Sequence, residues 1–217
     1  MSTLYMPAEK VQELTHRVKM LSMGHFGPCR GQMDRSWGNT TDEGHKILYC
    51  GKGLKHPDGV AFIVRKEVVR NIISCTPVSS RLFSIRTSAR THNITVIQVY
   101  TPSSDHKDEE VLQLYEQLDN IIAKTPKKDI VVVQGIWNDK VGPDAYQHWA
   151  WTVGRFGSEE TNDRGWRLLE FAKSHLLTIA NTFCPHTLSM TATWHGPMGS
   201  SQQDRLHYDT KMLHVQG

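Results

Sequence analysis

The run Asp129-Ile-Val-Val-Val133 constrains the fold of this chain more than any other stretch. Its β-branched residues succeed one another without a polar interruption, which marks a strand buried on both faces, so the sheet it joins must be covered on each side. Gly135 ends the run and opens a loop through Gly142. Upstream, Val111, Leu114, Tyr115, Leu118, Ile121 and Ile122 recur at helical spacing. They predict a helix opened by Ser104-Asp105 and continuing to about Lys124, with Asp108, Glu109 and Glu110 in its first turns, where negative charge suits the helix dipole. Pro126 stops it. A second helix is expected from Asn162 to His175, with Leu168, Leu169 and Phe171 facing inward.

The remaining periodicity is mostly that of strands. Lys46–Cys50 and Gly59–Val64 are short apolar runs either side of a turn-rich segment and predict an antiparallel pair. Arg81–Arg86 alternates, and Asn93–Tyr100 is a longer run that ends at Thr101-Pro102. Leu177–Asn181 and Met190–Trp194 would be further strands. A short helix is expected over residues 8–20, and a loop from Ser22 to Asn39. The tail after Gly199 is polar and without pattern. Strands, helix, buried strand and helix in this order predict an α/β (α+β) fold, with two sheets face to face flanked by helices.

Composition excludes little. The chain has 217 residues, 22% of them charged, and a formal charge of +3, which permits a polyanionic partner without requiring one. Its four cysteines (Cys29, Cys50, Cys75 and Cys184) form no CxxC pair, which argues against a zinc site and for free thiols in a reducing compartment. No stretch reaches the ~18 apolar residues of a membrane span. The charged opening Met1–Lys19 is not a secretory signal, so an intracellular monomer is expected.

A series of short motifs carries a more specific reading. In order they are Asp58–Val64, Ser79–Leu82, Ile97–Pro102, Tyr115–Leu118, Ile130–Gly135, Trp137-Asn138, Lys140–Gly142, Asn162-Asp-Arg-Gly165, Leu169–Phe171, Ala180–Thr182 and Thr193-Trp194. This series resembles the endonuclease/exonuclease/phosphatase (DNase I-like) family, within it the endonuclease domains of non-LTR retrotransposons and the craniofacial development protein 2-like proteins. The resemblance spans residues 45–195, with residues 1–44 and 196–217 as degenerate flanks. It implies a four-layer α/β/β/α sandwich lacking terminal strands, and a Mg²⁺-dependent cut of DNA by an activated water. That chemistry needs carboxylates for the hard cation, a proton acceptor for the water, and donors for the charged transition state.

Measured against that pattern, the residues are depleted. The strand and Asn that the family places at its N-terminus are not found, since Met1–Tyr5 resembles the segment that the family puts immediately after that strand. Where the family has a metal-binding Glu, Asp34 is the carboxylate available, a methylene shorter and out of place. Tyr100 matches the tyrosine that ends a strand before a proline, a position the family sets near the scissile phosphate; a tyrosine closing the core would read the same. The Gly-Asp-x-Asn signature reads Gly135-Ile136-Trp137-Asn138: Asn138 remains, and Ile136 replaces the aspartate. Asp139 is adjacent but points the other way if the strand continues. In the C-terminal strand the acidic position falls on Leu206, and Asp204 fits only with a shift. His207 and His214 do not match the terminal Asp-His pair.

The expected catalytic remnant is therefore Tyr100 and Asn138, with Asp34 and Asp204 as weak metal candidates; the resemblance implies Mg²⁺ as cofactor, expected not to bind here, and DNA as partner, expected to bind weakly or not at all. A general base alone supplies ~10²–10⁴-fold. A pseudoenzyme is the leading expectation. The alternatives are an active nuclease that uses Asp34, Asp139 or Asp204 as replacement ligands, and a non-catalytic module that binds nucleic acid or protein.

Overall fold

The computed structural model describes residues 40–51, 59–102, 106–157 and 160–183, together with the strand pairing of Val18–Lys19 and Thr210–Val215. Strands β2 (Lys46–Gly51) and β3 (Gly59–Val64) pair antiparallel with Leu48 opposite Phe62, as their two apolar runs predict. The other edge of β3 takes β1 (Val18–Lys19). A helix was expected over that pair of residues, and the expectation is corrected: Val18 and Lys19 are extended against Val64 and Ile63. An isolated helix of a dozen residues is marginal, whereas an open strand edge offers backbone groups that need partners. The rest of residues 8–20 lies outside the described residues.

A larger sheet holds six strands in the order β4 (Ile72–Ser79), β5 (Leu82–Thr87), β6 (Ile94–Tyr100), β7 (Ile130–Ile136), β9 (Thr210–Val215) and β8 (Leu177–Ile179). The single-turn helix α1 (Lys66–Val69) leads into β4. β4 gave no sequence signal because it contains Pro77, and it tolerates that proline because it is the edge strand. β6 and β7 are parallel, joined by the crossover helix α2 (Asp108–Lys124). That helix starts later than predicted, its N-cap being Lys107, and Ser104 and Asp105 lie outside the described residues. Helix α4 (Asp163–Ser174) comes after the single-turn α3 (Tyr146–Trp149).

Two expectations about the C-terminal part change. β8 stops at Ile179, and Ala180–Thr182 turns into a 3₁₀ helix instead of extending the strand. The tail, expected to be without regular structure, supplies β9, hydrogen-bonded between β7 and β8. Pairing on both sides satisfies the backbone of a segment whose side-chain pattern gives no strand signal. The predicted strand Met190–Trp194 lies outside the described residues.

Alternation along β6 and β7 sorts the core into two clusters. Ile97, Val99, Val131 and Val133 face α2 and α4, meeting Leu114, Leu118, Leu168, Leu169 and Phe171. Ile94, Val96 and Val132 face the smaller sheet, meeting Leu48, Val60, Phe62 and Val64. Phe62 and Phe83 meet edge to face across this layer with centroids 5.1 Å apart. Helices, larger sheet and smaller sheet thus form three layers of the expected sandwich; among the described residues the fourth is not represented.

One charged pair is sealed at the start of β7. The Asp129 side chain is 2% exposed, and Arg86 grips it with two bonds of 2.6 and 2.9 Å while the Thr95 hydroxyl donates a third at 3.0 Å. At Lys127-Lys128-Asp129 the lysines are exposed and the aspartate is buried. The Arg86 hydrogen bond holds the Asp129 carboxyl below its ordinary value, against the opposing effect of burial. A carboxylate whose pKa is depressed by folding stabilises the fold at pH above its unfolded value, ~3.9, and that stability is lost as pH falls through the folded value. Arg86→Ala should therefore lower the melting temperature at pH 7 more than at pH 3. Thermal melts across that range check it, and equal losses at both ends would refute the coupling.

Candidate functional site

The C-terminal ends of β6 and β7 define the site. Tyr100 and Ile136 are register partners on these parallel strands, and Arg81 leads into β5 beside them, its carbonyl accepting the Tyr100 N–H at 3.0 Å. Tyr100 packs against the inter-sheet cluster while Trp137, one residue beyond Ile136, is buried against the helices. Alternation therefore leaves Ile136 on the same face as Tyr100. Ile136 is half-buried there and presents only carbon.

Gly135 is required for the strands to end this way. Its φ is +142°, and a Cβ there would lie 1.8 Å from the Val99 carbonyl oxygen. Beyond it the chain turns sharply at Asn138, whose φ is +50°, a left-handed value that asparagine tolerates better than most residues. The Asn138 amide donates to the Thr101 carbonyl at 2.7 Å, and the Thr101 hydroxyl donates back to the Trp137 carbonyl. Asn138 therefore ties the loop after β7 to the loop after β6, a structural task that uses one of its two amide hydrogens.

Asp139 is 4% exposed, and its negative charge is felt at the Tyr115 hydroxyl. Burial pushes the ionisation of Tyr115 far up, Asp139 adds to this, and Arg167 and Arg164 oppose it. The alternation read from the sequence does not reach Asp139, because β7 ends at Ile136 and the chain turns at Asn138.

The Asn162–Gly165 motif resolves into a clamp. Asn162 caps α4, its Oδ1 accepting from the Gly165 N–H at 2.8 Å and also from the Lys140 N–H at 3.1 Å. Arg164 reaches the Pro102 and His106 carbonyls at 2.6 and 3.3 Å. Arg164, in the first turn of α4, thus holds the loop after Tyr100. Of the nearby tryptophans, Trp151 is 89% exposed, while Trp149 and Trp166 lean on the helix-side core.

Sequence reasoning missed two groups here, Arg81 and His106. The Arg81 guanidinium carbon lies 5.3 Å over the Tyr100 ring, and its Nη2 is 3.3 Å from His106 Nε2. Arg81 was legible in principle, because the antiparallel β5–β6 pair puts the residue before Leu82 opposite the end of β6. His106 was not, since loop closure brings it in from afar.

A divalent cation of the Mg²⁺ type needs several oxygen ligands, most of them anionic. The described residues do not supply them: Ile136 has no lone pair, Asp139 is buried, and no group of three His, Cys, Asp or Glu side chains is suitably placed among them. Asp34 and Asp204 lie outside the described residues, as do Met1–Tyr5 and His207; His214 falls on β9, where only the pairing is described. No described helix is long and apolar enough to cross a membrane.

Comparison with known proteins agrees with this architecture. No protein-family profile matches the chain. Craniofacial development protein 2 from Bos taurus is 37% identical over 208 residues, covering 89% of this chain and 34% of its own length. Its counterpart from Tragulus javanicus is 33% identical over 208 residues, with 89% and 36% covered. The chain thus spans about a third of the length of the curated relatives it matches. Among solved structures, the endonuclease domain of TRAS1, a telomere-specific non-LTR retrotransposon, superposes with a TM-score of 0.51 at 16% identity, over 78% of this chain and 67% of that one. The chain is accordingly similar to craniofacial development protein 2 over about a third of that protein's length, and its fold is DNase I-like.

Proposed function

We infer that this is a retrotransposon-derived endonuclease-like domain that no longer hydrolyses phosphodiesters. The observation that carries the reading is Ile136, an alkyl side chain beside Tyr100 at the strand ends, where the family resemblance expects an aspartate. An alkyl group can neither hold a hard cation nor take a proton from water. Asn138 supports the reading too, because its amide is engaged by Thr101. Tyr100 and Asn138 are then remnants whose present work is packing and loop closure.

Incubation of the purified chain with supercoiled plasmid and Mg²⁺ or Mn²⁺ tests this. The expected result is no nicking above a metal-only control. Metal-dependent nicking that EDTA stops and Asn138→Ala abolishes would overturn it, and would point to Asp34 or Asp204 as replacement ligands. Ile136→Asp alone is expected to restore none of the activity, because one carboxylate does not complete a magnesium site. Nicking by that single variant would show that the remaining ligands are in place.

A further inference from the structure

The helices that cover the larger sheet lie side by side and are charged unequally. On α4, Phe171 packs on Tyr115 of α2 with ring centroids 5.1 Å apart, and His175 bonds Asp119 of α2 at 2.5 Å. Lys173, two residues from each and so on the opposite side of the helix, lies 4.8 Å over the Trp149 ring of α3. α4 therefore runs between α2 and α3, with Glu170 and Ser174 exposed on it.

α2 presents an acidic row to solvent. Glu109, Leu112, Glu116 and Asp119 recur at helical spacing, so they share one face, and all four are exposed. Leu112, 49% exposed, has an acid on either side of it in this row. The side beyond α4 is cationic and aromatic. Besides Lys173 on Trp149, Arg155 lies 4.9 Å over the Tyr146 ring, and Trp151 is 89% exposed. Among the described residues neither cation is ion-paired. Asp144, just ahead of α3, is held by Thr161, whose N–H and hydroxyl donate to it at 3.1 and 2.9 Å.

We propose that this helical surface pairs with its counterpart on a second copy of the chain, in a dimer whose two-fold axis runs along α4. Rotation about that axis lays the acidic row of one copy over Arg155, Lys173 and Trp151 of the other, and the reverse, so a single surface supplies both halves of the match. A two-fold axis across the helices would set acid on acid. Charge complementarity of this kind selects the partner and fixes the register. Trp151 and Leu112 are the apolar anchors within it, an exposed tryptophan being the residue type that most often carries interface energy. The inference is independent of whether the strand-end site cuts DNA, because none of these residues belongs to that site.

Sedimentation velocity of the full chain over a wide range of concentration tests it. The expected result is a reversible monomer–dimer equilibrium that added salt weakens, since exposed charges are screened. Arg155→Glu with Lys173→Glu makes both sides acidic, and Glu109→Lys with Glu116→Lys makes both basic. Each double variant alone should dimerise about tenfold more weakly or worse, because like charges now face each other. Mixed together, the two should form a heterodimer close to wild-type affinity, since opposite signs meet again at both contacts. Trp151→Ala should weaken the wild-type dimer about tenfold or more, the scale of an aromatic anchor. Lys66→Glu with Arg70→Glu makes an equal change of charge at α1, whose valines pack on the inter-sheet core, and should stay within about twofold.

A chain that remains monomeric at every concentration would overturn the proposal. So would double variants that keep the native circular dichroism yet fail to complement each other, or an equal loss from the α1 variant. Growth beyond the dimer would refute the two-fold axis. A monomer that binds an acidic peptide or a single-stranded oligonucleotide through Trp151 would give this surface a different occupant and refute self-association.

Discussion

Gly135→Ala is expected to destabilise the domain by more than about 4 kcal/mol, a range that single substitutions reach only through a severe mechanism. The mechanism here is double. The residue's φ of +142° is one that alanine avoids, and the added carbon would sit 1.8 Å from the Val99 carbonyl oxygen and 2.9 Å from the Val99 nitrogen. Both obstacles are backbone of the neighbouring strand, so no side-chain rotation relieves them. β6 and β7 would have to part at their central parallel pairing, where both cores meet. For a chain of this size each kcal/mol shifts the melting temperature by roughly 2–4 °C, so thermal denaturation should show a fall of roughly 10 °C or more. A shift of a degree or two would mean that the strands do not approach so closely.

Gly165→Ala sets two effects of opposite sign against each other. Gly165 lies in the first turn of α4, where alanine is intrinsically the better helix former by about 1 kcal/mol. A Cβ at this position would however fall 1.8 Å from the Lys140 carbonyl oxygen, again backbone. The same contact is braced by Asn162, which bonds the Lys140 and Gly165 N–H groups together. The clash should win, with a net loss of about 2–3 kcal/mol, within the usual range for overpacking. Urea denaturation of this variant beside Glu170→Ala, an exposed position on the same helix, makes the comparison. A stabilised Gly165→Ala would show that propensity governs and that the loop after β7 is not held against α4.

These two glycines mark what was readable in the sequence and what was not. Local pattern located the strands Gly59–Val64 and Ile94–Tyr100, the buried run at β7 and both long helices, because apolar periodicity reports which faces are covered. Ile136 and Asn138 were singled out by resemblance to the Gly-Asp-x-Asn signature instead, and register places Ile136 beside Tyr100. Local pattern gave nothing for β4, whose Pro77 is acceptable only at an edge, and nothing for β9, whose strand character comes from two neighbours distant in sequence. The site divides in the same way. Residues carried by β6 and β7 are fixed by register, whereas His106 arrives through a loop that Arg164, on α4, holds by hydrogen bonds to its carbonyls. Asn138 shows the limit of motif reading: the residue matches its pattern, yet one of its amide hydrogens ties it to the backbone at Thr101.

The place of β9 bears on how the domain is made. Among the described strands, β8 has no hydrogen-bonded neighbour in the sheet other than β9, and β9 reaches back to β7, so residues near 133 and 213 must meet before that edge closes. During synthesis, ribosomes will have extruded α4 and β8 while one margin of β7 still lacks its mate. The nascent chain therefore passes through an interval with an adhesive flank, and chaperone demand should concentrate there.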